Sequence, residues 1–137
     1  MSKNAKQVVK DFYQADLLQD ETVLEKYFHP EAVLIWNSMN GLTTMQNEDL
    51  EAFFLEIRRT YFDLRIEVSH LLADENFVTI RYKYYVKTIE NPEEELGIAH
   101  FMGIWEVRDG KLYKGYQISQ PVTDNDDTSK SYSEVKV

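Results

Sequence analysis

At 137 residues the chain has the length of one domain, and a hydrophobic content of 43% is sufficient for a packed core. A formal net charge of −9 argues against nucleic acid and anionic membranes as partners, because phosphate groups are recognised by basic surfaces. The chain has no cysteine, which excludes disulfides, thiolate catalysis and thiolate metal ligands.

The N-terminal segment MSKNAKQVVKDF lacks the apolar centre of a signal peptide, so we expect a cytoplasmic protein without a membrane span. Asn4 is the predicted cap of a first helix, with Gln7 reaching back as in a capping box. A helical stripe follows, made of Val8, Val9, Phe12, Ala15 and Asp16. A second helix is predicted over 22–28, and it ends before Pro30 because proline disfavours helical geometry in the preceding residue.

The residues after Pro30 predict a strand over 31–37, a loop, and a third helix that begins at Asn47 and extends to Tyr61. From Asp63 onward the period changes to two. Strands are predicted over 64–72, 77–88, 97–107 and 112–120, with a core-facing stripe of Ile66, Val68, His70 and Leu72 on the first. The pair Asp109-Gly110 favours a tight hairpin turn. This order predicts an α+β domain.

Residues 8–37, VVKDFYQADLLQDETVLEKYFHPEAVLIWN, and the hairpin WEVRDGKL resemble nuclear transport factor 2-like proteins, which include SnoaL-like cyclases and ketosteroid isomerases. The resemblance covers residues 5–120. It implies three N-terminal helices packed in a curved, mainly antiparallel sheet, the cystatin-like cone. It places this domain over 1–121. The residues after Pro121 are polar and acidic, which predicts a flexible tail over 122–137. A pocket for a small apolar molecule at the open end, and dimers, are also implied.

The resemblance does not extend to the chemistry of ketosteroid isomerases. Those enzymes place a tyrosine on the first helix, an aspartate base on the first strand and a second acid on a late strand. The matching positions here are Phe12, Trp36 and a position near Gly103. None of these side chains can remove a proton or stabilise an oxyanion, so we do not expect that activity.

Two residues are candidate proton carriers, Asp16 and His100. Asp16 falls near the buried stripe of the first helix, where desolvation would raise the pKa of its carboxyl group; the simpler interpretation, which we favour, is a partly exposed carboxylate at the edge of that stripe. If Trp105 faces the pocket, as the resemblance implies, His100 lies on the outer face of the sheet, unless a bulge at Gly103 resets the alternation. His100 is therefore either a packed or interface residue or a pocket residue.

The aromatic content of 13% indicates a ring-lined cavity or a wide core. Asn37 can orient a ligand carbonyl, and the tyrosine hydroxyls can donate hydrogen bonds. The predicted pocket residues are Phe12, Trp36, Asn37, Tyr61, Tyr82, Tyr84, Phe101 and Trp105. The three histidines are widely spaced, so no metal or other cofactor is expected.

Two functions remain open. One is binding of a small apolar or ring-containing molecule, with acid–base turnover of the lyase or isomerase type. The other is a non-catalytic dimerisation or interaction module. Met102 and Ile104 favour the second, because they make the outer sheet face apolar and suit it to a homodimer contact.

Overall fold

The computed structural model describes residues 4–122. Three helices and six strands follow one another as α1 (Ala5–Tyr13), α2 (Val23–Tyr27), β1 (Phe28–Ser38), β2 (Gly41–Met45), α3 (Asn47–Thr60), β3 (Tyr61–Asp74), β4 (Phe77–Thr88), β5 (Leu96–Arg108) and β6 (Lys111–Pro121). This order confirms the predicted α+β class. No helix in the described part of the chain is long and apolar enough to cross a membrane.

All six strands form one curved sheet in the order β2-β1-β6-β5-β4-β3. Neighbouring strands are antiparallel except β1 and β6, which pair in parallel and place Trp36 opposite Gln117. Strand β2 falls where the sequence predicted a loop. It forms because Gly41, at a φ of +92°, allows the chain to turn back and pair with β1. The sheet therefore has one strand more than predicted.

Helix α1 is capped as predicted, because the Asn4 side chain accepts a hydrogen bond of 2.8 Å from the backbone of Gln7. The Gln7 side chain bonds to Asp11, however, and does not reach back to the cap. The helix ends at Tyr13, so the prediction that Asp16 belongs to its buried stripe is wrong. Asp16 is exposed in the following turn, where its carboxylate accepts backbone hydrogen bonds.

A bulge changes which residues of β3 face the core. The pairing of β3 with β4 shifts between Val68 and His70, and the extra residue, Ser69, is fully buried. Beyond the shift Leu71 is 2% exposed and Leu72 is 61% exposed. The predicted core stripe is therefore wrong after Val68, since a bulge moves every later side chain to the opposite face.

The core lies on the concave side of the sheet, where the helices pack. Phe12 of α1, Phe28 of β1, Phe54 of α3 and Trp105 of β5 meet there, mostly edge to face. The last strand leaves this core at the open end of the sheet, where the amide of Val122 donates to the Ile98 carbonyl at 3.0 Å. The rest of the predicted tail, 123–137, lies outside the described residues.

Candidate functional site

A cavity of about 410 Å³, the outer chamber, opens between the concave face of the sheet and helix α3. Its apolar wall is formed by Trp36, Met39, Met45, Phe53, Ile57, Leu64, Ile98, Ala99, Phe101 and Pro121. Two larger depressions, of about 540 and 700 Å³, are lined mainly by charged and polar residues. An apolar cavity with a few polar groups is the usual form of a small-molecule site, so we take the outer chamber as the candidate site.

The polar side chains on the wall of the outer chamber are hydroxyls and one amide. They belong to Ser38, Asn40, Thr43, Tyr61, Tyr84 and Ser119. Such groups can donate hydrogen bonds to a ligand oxygen and can accept them, but none carries a charge that could balance an ionised ligand. The chamber is therefore suited to a neutral molecule.

A much smaller cavity of about 30 Å³, the inner chamber, lies deeper in the core. Four rings line both chambers and separate one from the other: Trp36, Phe53, Tyr84 and Phe101. The indole N–H of Trp36 donates to the Ser119 hydroxyl oxygen at 2.8 Å, which fixes the orientation of that ring. The two chambers are thus adjacent and share these four aromatic residues.

A chain of buried hydrogen bonds lies beside the inner chamber. The indole N–H of Trp105 donates to the Tyr13 hydroxyl at 3.0 Å, and that hydroxyl donates to Tyr82 at 3.4 Å. The Tyr82 hydroxyl then donates to the side-chain oxygen of Gln117 at 2.5 Å. An indole N–H can only donate, so the direction of the whole chain follows from Trp105. The chain satisfies polar groups that would otherwise be buried without partners.

Burial raises the pKa of the Tyr13, Tyr82 and Tyr84 hydroxyls above the ordinary value. These phenols therefore keep their protons at physiological pH and serve as hydrogen-bond donors, not as bases. Among residues 4–122 no side chain or backbone group shares a hydrogen bond with the Tyr84 hydroxyl. That hydroxyl is consequently able to donate to a ligand in the outer chamber.

The structure brings most of the predicted pocket residues together, but at two depths. Trp36, Tyr61, Tyr84 and Phe101 line the outer chamber. Phe12, Tyr82 and Trp105 line the inner chamber only. Asn37 lies on the outer face of the sheet, where it is exposed and pairs with Leu42 and Ile118. It is not on the wall of either chamber, because neighbouring residues on a strand point to opposite faces.

Neither predicted proton carrier lies on the wall of a chamber. Asp16 occupies the exposed turn after α1. His100 is on the outer face of β5, between Lys83 and Gln120 on the neighbouring strands. The pairing of β5 is continuous through Gly103, so no bulge turns His100 inward. The described residues also contain no group of three His, Asp or Glu side chains that could hold a metal.

Three polar residues of the chambers were not among the predicted site residues: Tyr13 of α1, and Gln117 and Ser119 of β6. The signal is present in β6, where the inner positions are Gly115, Gln117 and Ser119. The outer positions of the same strand include Tyr116 and Ile118, which are 43% and 66% exposed. A strand that is polar toward the core and apolar toward solvent indicates a polar site inside and a contact surface outside.

The outer face of the sheet carries an apolar patch, the outer patch, formed by Met102, Ile104, Tyr116 and Ile118. Met102 pairs with Ile118, and Ile104 with Tyr116, so the four side chains are adjacent. Met102 is 55% exposed. Contiguous exposed apolar surface of this kind is typical of interaction sites.

The SnoaL-like domain model matches residues 9–114. IdmH of Streptomyces antibioticus, a candidate polyketide cyclase, superposes with a TM-score of 0.68 at 15% identity, over 85% of this chain and 92% of IdmH. An LEH-like epoxide hydrolase of M. tuberculosis gives a TM-score of 0.66 at 13% identity, over 86% of this chain and 84% of that chain.

A hypothetical protein with a ketosteroid isomerase-like fold from Catenulispora acidiphila, in complex with trimethylamine, gives a TM-score of 0.64 at 12% identity. The match covers 81% of this chain and 83% of that one. No curated protein matches the sequence. The family model and the structures confirm the resemblance inferred from residues 8–37 and the cone fold. At these identities the structures show the fold alone.

Proposed function

Since this chain belongs to the family of SnoaL-like domains, we propose that it binds a neutral, ring-containing small molecule in the outer chamber. The observation that carries the proposal is the wall of that chamber, where rings and aliphatic side chains enclose about 410 Å³ and the polar groups are uncharged. A flat apolar ligand stacks on such rings, while a hydroxyl binds its oxygen. A charged ligand would lose its hydration without a balancing charge.

The proposal is tested with N-phenyl-1-naphthylamine, a neutral ring compound whose fluorescence increases in apolar surroundings. Ala99 lies on the chamber wall, so Ala99→Phe fills the chamber with a ring and should lower the affinity at least about tenfold, the equivalent of about 1.4 kcal/mol. Met102→Phe adds a ring to the outer face of the same strand and is the matched control. Equal affinities of the wild type and a folded Ala99→Phe variant would contradict binding in this chamber.

Turnover of the isomerase or lyase type is a second candidate function. It is favoured by Tyr84, which lines the outer chamber and whose hydroxyl stays protonated. Such a donor can bind a ketone oxygen and stabilise the oxyanion that forms when a proton leaves the adjacent carbon. Because no carboxylate or imidazole of residues 4–122 lines the chamber, water takes up that proton in this hypothesis. Similarity to a candidate polyketide cyclase also supports this function.

The turnover hypothesis is tested by hydrogen–deuterium exchange of 2-tetralone, a neutral two-ring ketone, in D₂O. We expect the protein to accelerate exchange next to the carbonyl, and Tyr84→Phe to remove most of that acceleration, because loss of one oxyanion donor lowers rates by about 100-fold or more. Acceleration by Tyr84→Phe equal to that of the wild type would exclude this role. No acceleration by either protein would leave binding as the function.

A homodimer through the outer patch is a separate proposal, and it is compatible with either function. Burial of Met102 and Ile118 against a second copy would remove the exposed apolar surface that these residues present. Sedimentation velocity at micromolar protein should show a species of twice the mass of the monomer. A monomer at every concentration up to the millimolar range would contradict it.

A further inference from the structure

The Trp36 indole is a wall shared by two cavities. It lines both the outer and the inner chamber. Its N–H group donates to the Ser119 hydroxyl oxygen at 2.8 Å. The two residues are 83 positions apart, and the parallel pairing of β1 with β6 brings them together.

The other contacts of Trp36 are apolar and hold it less specifically. The Phe53 ring meets it edge-on at 5.7 Å, and the Phe101 ring lies tilted at 6.1 Å. Ring contacts of this kind tolerate rotation of the indole better than a hydrogen bond does. A part-buried indole N–H also requires an acceptor. The bond to Ser119 is therefore the contact that selects this orientation of the ring.

We propose that Ser119 is a positioning residue, which holds Trp36 as a partition between the chambers and thereby limits the length of the ligand. This inference rests on the proposed binding function of the outer chamber. With the partition in place, a compact ring system fills the outer chamber. When Trp36 is released and its ring turns aside, the volume that the indole occupied joins the inner chamber to the outer one, and a longer rod-shaped molecule can extend toward Tyr82 and Gln117.

The volumes support a partition and not a second independent site. The inner chamber of about 30 Å³ accommodates two or three water molecules, each of which needs about 10–15 Å³. It is too small for a ligand of its own. Loss of one neutral hydrogen bond changes the balance between two ring orientations about fivefold, and that is the size of effect expected when Ser119 loses its hydroxyl.

The position of Trp36 can be tested without any ligand. The chain has two tryptophans, so the ¹⁵N-labelled protein gives two indole N–H signals. Ser119→Ala should accelerate hydrogen exchange of the Trp36 indole at least about fivefold, whereas Ser119→Thr keeps a hydroxyl and should retain protection. Trp105, which donates to Tyr13, is the internal reference and should not change. Unchanged exchange of Trp36 in Ser119→Ala would overturn the positioning role.

The length limit is tested by two neutral fluorescent probes, compact N-phenyl-1-naphthylamine and rod-shaped 1,6-diphenyl-1,3,5-hexatriene. We expect the ratio of the affinity for the long probe to that for the compact probe to rise at least about fivefold in Ser119→Ala and to stay at the wild-type value in Ser119→Thr. An unchanged ratio in Ser119→Ala would overturn the length limit. If neither probe binds to the wild type or to the variant, the proposed binding function and the length limit are both contradicted. Hydrogen exchange of the indole then still tests whether Ser119 positions Trp36.

Discussion

Removal of one hydroxyl group tests whether the buried hydrogen-bond chain stabilises the fold. Tyr82→Phe keeps the ring, which stacks on Phe101 at a centroid distance of 4.8 Å, and deletes the hydroxyl that donates to Gln117. The Gln117 oxygen then loses a partner at 2.5 Å, whereas Tyr13 loses an acceptor only at the long distance of 3.4 Å.

The expected loss of unfolding free energy is about 2 kcal/mol, the middle of the range of about 1–3 kcal/mol for a buried group left without its partner. An unfolding entropy of about 2.1 cal/mol/K per residue converts this loss, for a chain of this length, to a decrease of about 7 °C in Tm. Urea and thermal unfolding, followed by circular dichroism, measure both quantities.

The double variant Tyr82→Phe/Gln117→Met provides the control, because it removes donor and acceptor together. Its loss of stability should be smaller than the sum of the two single losses by about 1 kcal/mol, since residues that share a bond are not additive. A loss below about 0.5 kcal/mol in Tyr82→Phe, or strict additivity in the double variant, would refute the reasoning.

Three further outcomes are expected. A Cβ on Gly115 would lie 2.6–2.8 Å from three atoms of the Trp105 ring, so Gly115→Ala should lower the unfolding free energy by about 1–3 kcal/mol, and adding Trp105→Phe should recover part of it. The pKa of the Tyr84 hydroxyl is raised in the folded protein, so above pH 10 the unfolded chain loses the phenol proton while the folded chain keeps it. The unfolding free energy measured in urea titrations should therefore fall as the pH rises above 10. Tyr84→Phe should reduce the slope of this decrease by up to about 1.4 kcal/mol per pH unit. Met102→Glu places a charge in the outer patch and should yield monomers in sedimentation velocity. Leu55→Glu, at an exposed position of α3, is the control and should remain a dimer. Dimers of Met102→Glu would exclude the patch as the interface.

Local patterns were sufficient to predict much of the fold. The third helix was predicted from Asn47 to Tyr61, and the structure has α3 there, with Leu50, Phe54 and Ile57, which follow helical spacing, as its buried residues. The pair Asp109-Gly110 predicted the last hairpin turn, where both residues have positive φ angles of 55° and 72°. In each case the decisive interactions lie within a few residues along the chain, so the sequence carries the information directly.

The features that the sequence did not reveal depend on contacts between distant residues. The bulge at Ser69 exists only because β3 pairs with β4, and no turn residue marks it. The contact between Trp36 and Ser119 requires the parallel pairing of two strands from opposite ends of the domain. The end of α1 at Tyr13 is equally invisible, because the apolar period continues to Ala15. Asp16 was therefore placed on a helix that does not reach it.

The central claim is that the outer chamber binds a neutral ring-containing molecule. The most direct measurement is a titration of the ¹⁵N-labelled protein with N-phenyl-1-naphthylamine, followed by two-dimensional NMR. Binding in the outer chamber should cause saturable shifts of the Trp36 indole and of the Ala99 and Ser119 amides, since these residues line the chamber, with little change at the buried Trp105 indole. Shifts confined to the outer patch, or no saturable shifts at all, would contradict it.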